Sequence, residues 1–124
     1  MSITEKFMKG QILNGKFIGF DIISNKPQLE INDELCQQLV TKLKREQGSK
    51  KEHKQKVLIK VNLEGIEIED LKSQKAIFKH QIERILFISI DRVDPRSLGY
   101  VYKNDDKDFI YFALKTEKNS QEYV

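Results

Sequence analysis

Along most of this chain apolar and polar residues alternate, and the alternation predicts strands. In GKFIGFDII (15–23), Ile18, Phe20 and Ile22 share one parity, a period of two that gives the segment a single core face. Pro27 has no amide donor for a ladder and ends it. The period then changes. In INDELCQQLVTKLKREQG, Leu35, Leu39 and Leu43 recur every fourth residue, with Cys36 and Val40 beside them. This predicts an amphipathic helix of about three or four turns, capped by Asn32 or Asp33 and ended near Gly48. Lys42, Lys44 and Arg45 are read into its last turn, where they suit the negative end of the helix dipole.

Alternation resumes at Val57, Ile59, Val61 and Leu63, and continues at Ile66 and Ile68 after a tight turn at Glu64-Gly65. A short strand is expected at AIFK (76–79), and two more at LGYVY (98–102) and FIYFALK (109–115). IERILFISID (82–91) differs from all of these. Ile85 and Phe87 lie on one parity, and Leu86, Ile88 and Ile90 on the other. A strand with one wet face should alternate, so some element must cover the second face. The sum is about seven strands, with one helix between the first and second. The fold class is α+β and mainly antiparallel β, a bent sandwich or partly open barrel with a helix to one side. No internal repeat or linker divides it.

Composition narrows the class. The 124 residues are 39% hydrophobic and 33% charged, as in a soluble globular domain. No apolar run reaches the ~18 residues of a membrane span, and MSITEKFMKG is not a secretory signal. The single cysteine, Cys36, cannot form an internal disulfide, so the expected setting is cytoplasmic. Catalytic chemistry finds no support. There is no glycine-rich phosphate loop or nucleophile elbow. His53 and His80 lack partners at metal-ligand spacing, and Cys36 belongs to the apolar helix stripe. The reading is a protein that is not an enzyme and carries no metal or cofactor.

Net charge is only +3, but its distribution is uneven. Lys42, Lys44, Arg45, Lys50, Lys51, Lys54 and Lys56 are opposed only by Glu46 and Glu52 over that stretch. A charge run by itself is usually a solvated face. Here the run joins a strand directly, in GSKKEHKQKVLIKVNL (48–63), which would hold part of the charge in a fixed place.

Several stretches resemble a phosphotyrosine-binding (PTB, or PID) domain of the Disabled family of endocytic adaptors. They are GKFIGFD (15–21), ELCQ and KLK in the helix, EHKQKV (52–57), EGIEI (64–68), LGYV (98–101) and ALKT (113–116). The match runs from about Phe7 to Thr116, and the domain is assigned to residues 7–124. The resemblance implies a pleckstrin-homology-like fold. It also implies two ligands: Asn-Pro-x-Tyr motifs in the cytoplasmic tails of lipoprotein-receptor-type cargo, and phosphatidylinositol 4,5-bisphosphate. The family's lipid-binding positions fall on Lys16, His53, Lys54 and Arg96, with Lys50 or Lys51 filling the remaining basic position.

For the peptide, the family adds the ligand backbone to its fifth strand, here RILFIS, with Leu86, Phe87, Ile88 and Ser89 as the contact residues. Leu86 departs from the family, which usually has serine there. The family's carboxy-terminal helix, the second wall of the groove, has no counterpart in TEKNSQEYV, so the sequence is read as a domain truncated before that helix. Leu86 and Ile88 would then be bare. The implied protein is a monomeric adaptor for signalling and clathrin-mediated endocytosis, peripheral at the plasma membrane and its coated pits. The alternatives are a phosphoinositide-binding module without a peptide function, and a nucleic-acid-binding domain using the 42–56 patch, which lacks aromatic stacking residues among its lysines.

Overall fold

The computed structural model describes residues 10–24, 26–49, 55–104 and 108–117. Seven antiparallel strands make one open sheet: β1 (Gln11–Ser24), β2 (Gln55–Asn62), β3 (Gly65–Asp70), β4 (Ala76–Gln81), β5 (Ile85–Ile90), β6 (Ser97–Lys103) and β7 (Asp108–Thr116). Their order is β4-β3-β2-β1-β7-β6-β5. The helix α1 (Asp33–Ser49) lies between β1 and β2 in the chain, and packs on β1, β7, β6 and β5. Seven strands and one inserted helix match the architecture expected from the pattern.

The two faces of the sheet bury two cores. On one, Cys36, Val40 and Leu43 from α1 meet Ile18, Ile23, Val101, Phe109, Tyr111 and Ala113. This is the stripe that the four-residue spacing marked out. Burial pushes the Cys36 thiol up to about 11, so it stays protonated and acts as a small apolar side chain. On the other face, Val57, Ile59, Ile66, Ile68, Tyr100, Phe112 and Leu114 pack together. There Phe78, His80 and Phe112 form an aromatic cluster with Tyr100 and Tyr102.

In β1 the register with β7 shifts between Phe17 and Gly19. Ile23 is therefore buried with Ile18, while Phe20 and Ile22, expected on the same core face, are exposed. Three further local expectations are corrected. The β2–β3 turn is centred on Leu63 and Glu64, because Asn62 pairs with Gly65. Leu63 therefore projects outward at 57% exposure rather than into the core. Asn62 Oδ1 accepts the amides of Glu64 and Gly65 at 2.8 and 3.2 Å, an Asx turn that holds the bend. Gly65, at φ 146°, follows it; a Cβ there would collide with the His80 carbonyl.

The second correction concerns α1. Asn32 caps it, its Oδ1 accepting the Leu35 amide at 3.0 Å, but the helix runs on to Ser49 and its last turn holds no basic residue. Lys42 and Lys44 instead make cross-element ion pairs, with Asp21 at 2.8 Å and Asp91 at 2.5 Å. Helix-dipole compensation is therefore not their role.

The third concerns the doubly apolar segment. The β5–β6 register shifts between Ile85 and Phe87, and this irregularity overrides the simple parity. Leu86 and Phe87 both pack against the α1-side core. Ile85 packs against the opposite core, while Ile88, paired with Tyr100, is 45% exposed. The chain's own helix thus covers much of what looked uncovered. Of the two residues expected to be bare, Leu86 is half-buried and Ile88 is exposed.

Candidate functional site

Strand register assembles a row of positive charge. Lys16 in β1 faces Lys56 of β2 on one side and Lys115 of β7 on the other. Direct partners in antiparallel strands share a face, so the three amines leave the sheet side by side. Two strand spacings put the outer pair about 10 Å apart at the backbone. Arg96, just ahead of β6, closes the row. Its carbonyl accepts both the amide and the hydroxyl of Thr116, at 2.7 and 3.1 Å, which tacks it beside Lys115.

Together Lys16, Lys56, Lys115 and Arg96 line a cleft of about 520 Å³, with Asn14, Thr116 and Glu117 among its other walls. Like charges directly opposite each other cost a sheet stability. Neither Lys16 nor Lys56 has an ion-pair partner among the described residues, whereas Lys115 and Arg96 both face Asp94. Burial works against the charge on Asp94, but the Arg96 amide and the Lys115 and Lys44 ammonium groups outweigh it and hold its carboxyl below the usual range. The cleft is a concentrated cation site, suited to a multiply charged anion.

Of the lipid-binding residues suggested by sequence, Lys16 and Arg96 come together in this cleft. Lys50, Lys51, His53 and Lys54 lie outside the described residues. Lys56 and Lys115 join Lys16 and Arg96 in the cleft, although nothing in their local sequence marks them as site residues. Their signal is pairing register, which places three distant lysines abreast, and register is not visible in any one segment. No cluster of three His, Cys, Asp or Glu suited to a metal ion occurs among the described residues.

A second surface is the outer edge of β5, which ends the sheet. The four contact residues suggested for a peptide point different ways. Leu86 and Phe87 face the α1-side core and Ile88 is exposed. Ser89 is buried, and its hydroxyl donates to Asp33 Oδ1 at 2.5 Å. Gln37 completes this joint. Its Nε2 donates to Ser89 Oγ at 3.2 Å and to the Ile90 carbonyl at 2.8 Å, while its Oε1 accepts the Arg92 amide at 3.0 Å. The Ser89 hydroxyl is the main reason that the Asp33 carboxyl sits below its usual range. Among the described residues, what β5 offers a ligand is therefore Ile88 and the part of its backbone edge that Gln37 does not occupy at Ile90. In the same cross-strand row, Ile88 is followed by Tyr100, Phe112 and the half-exposed Phe20.

Comparison with known proteins agrees with this architecture. Residues 24–124 match the family model of the phosphotyrosine interaction domain (PTB/PID). Over 92 residues, 74% of this chain, the sequence is 32% identical to Protein disabled of Drosophila melanogaster, and the match spans 4% of that much longer protein. The fold is similar to the solution structure of the C-terminal phosphotyrosine interaction domain of APBB2 from mouse. The TM-score is 0.76 over 91% of this chain and 79% of that one, at 12% sequence identity.

Proposed function

This chain belongs to the phosphotyrosine interaction domain (PTB/PID) family, and from that premise we propose that it is a non-enzymatic adaptor module joining receptor tails to the membrane surface. One surface takes an Asn-Pro-x-Tyr motif from the cytoplasmic tail of lipoprotein-receptor-type cargo, the peptide backbone extending the sheet at β5. The other takes phosphatidylinositol 4,5-bisphosphate of the inner leaflet in the cleft of Lys16, Lys56, Lys115 and Arg96. The family resemblance assigns Lys50, Lys51, His53 and Lys54 to the same headgroup. The domain acts as a monomer at coated pits of the plasma membrane, where it gathers cargo for clathrin-mediated uptake and signalling. No helix among the described residues is long and apolar enough to cross a membrane.

The observation that carries this reading is the three-lysine row. A flexible basic segment draws anionic membrane by charge alone, at about 1 kcal/mol per residue. Amines fixed abreast by two ladders reach one headgroup with little further ordering cost. Two modest affinities on one membrane then give avidity without new contacts.

Two titrations test the proposal. Lys16→Glu with Arg96→Glu should abolish cosedimentation with phosphoinositide vesicles and leave the peptide affinity intact. Ile88→Glu should do the reverse, weakening an Asn-Pro-x-Tyr peptide followed by fluorescence while vesicle binding persists. Vesicle binding indifferent to the first pair removes the lipid half of the proposal, and an unchanged peptide affinity in the second removes the other. Binding of vesicles with no binding of the peptide by the unmodified chain would leave a phosphoinositide module alone.

A further inference from the structure

Beside the cleft, whose wall includes the acid Glu117, Asp94 sets a negative charge against two of its four cations. Its carboxylate lies 3.4 Å from Lys115 Nζ, 3.6 Å from Arg96 Nε and 3.8 Å from Lys44 Nζ. Three cations share one acid, and none is as close as Lys44 Nζ is to Asp91, at 2.5 Å. The acid itself is well fixed. Its Oδ1 accepts the Arg96 amide at 3.1 Å, its Oδ2 accepts the Ser97 hydroxyl at 3.4 Å, and the Ser97 amide closes the turn onto the Asp94 carbonyl at 2.9 Å. Lys115 and Asp94 are each about a quarter exposed, so incoming solute can reach both. An anion fixed by its own turn and 3.4–3.8 Å from the cations it shares is a counter-ion that can be replaced.

We infer that Asp94 is a built-in competitor for the anion cleft: its carboxylate holds Lys115 and Arg96 until a headgroup phosphate takes them over. The inference rests on the phosphoinositide reading above and says what sets its threshold. Every anion that must displace the same carboxylate loses affinity by the same factor. Singly charged headgroups, weakly held to begin with, fall below useful occupancy, while a polyphosphorylated headgroup still binds. The ratio of affinities is unchanged; what the competitor sets is the affinity a headgroup needs to occupy the cleft at all.

Asp94→Asn keeps the Oδ1 acceptor of the turn and removes the charge. Its binding is compared with wild type by cosedimentation at low salt. The phosphatidylcholine vesicles carry either phosphatidylinositol 4,5-bisphosphate or phosphatidylserine at equal total charge. The variant should bind the phosphoinositide about three- to ten-fold more tightly, and phosphatidylserine binding should become measurable. A folded Asp94→Asn protein that binds no better overturns the inference, whereas a merely structural aspartate would give weaker binding.

The two readings fail separately. Wild-type binding insensitive to Lys16→Glu fails the phosphoinositide reading. Binding that needs Lys16 but ignores Asp94→Asn fails this inference alone. Binding by Asp94→Asn with none by wild type upholds it, and binding by neither overturns it. Should the variant not fold, carbon NMR of the wild-type Asp94 carboxyl during titration with inositol 1,4,5-trisphosphate decides. The resonance should move toward that of an unpaired carboxylate, and no movement at saturation refutes displacement.

Discussion

His80 Nδ1 stands 2.7 Å from Tyr100 Oη inside the core opposite α1. The ring packs on Phe78, Tyr102 and Phe112 and is 7% exposed, so burial lowers its pKa to about 4. The unfolded chain, with an ordinary histidine near 6.5, binds the proton more readily than the folded one. Stability is therefore complete above the unfolded value and falls as pH drops from 6.5 toward 4. Urea unfolding should show a loss of roughly 2 kcal/mol between pH 7 and pH 5. The carboxyls of Asp33, Asp70 and Asp94 are all lowered, so their contributions vanish only at more acid pH. His80→Gln should flatten the slope in that window, and an unchanged slope would assign the dependence elsewhere.

Ser89 lies on the proposed peptide edge but gives its hydroxyl to the helix. Ser89→Ala should cost about 1–2 kcal/mol in chemical denaturation, because Asp33 and Gln37 lose a partly buried partner. Peptide affinity should stay within about two-fold, since the ligand meets the backbone and Ile88. A large drop in affinity with stability intact would return the hydroxyl to the binding site.

Lys56 tests whether register, rather than local sequence, defines the cation site. Lys56→Glu should reduce phosphoinositide vesicle binding by roughly ten-fold or more, as a reversed charge near the surface forfeits the original attraction and adds repulsion. The melting temperature should hold or rise slightly, because a like-charge neighbour of Lys16 is gone. Equal cosedimentation of variant and wild type would show that the row is incidental to binding.

Much of this molecule can be read from its pattern, and the exceptions share a cause. The spacing of Leu35, Leu39 and Leu43 marks a helix because one covered face imposes one period. Val57, Ile59, Ile66 and Ile68 mark strands for the same reason. Leu86 and Ile88 look equivalent in sequence, yet the bulge between Ile85 and Phe87 sends one toward the helix and leaves the other in water. Lys42 and Lys44 look like helix-end charges until their partners appear across the fold, at Asp21 and Asp91. Lys16 and Arg96 were marked by family resemblance. Lys56 and Lys115 need the register of β1 with both neighbours, and Asp94 needs the pairing of Ser97 with Lys115 across β6 and β7, because pairing over long sequence separation leaves no local trace.

The sheet ends in two borders that are not equally welcoming. Along β4, Lys79 places charge on the strand and the register slips between Ile68 and Glu69, both of which deter another chain from joining. Along β5 no residue from Ile85 to Ile90 carries charge. The β5 flank is thus the more open to growth of the sheet. An eighth strand joining this sheet would meet fewer obstacles beside Ile88 than beside Lys79, and it would lie on the flank from which the turn of Asp94 and Arg96 leaves toward the lysines.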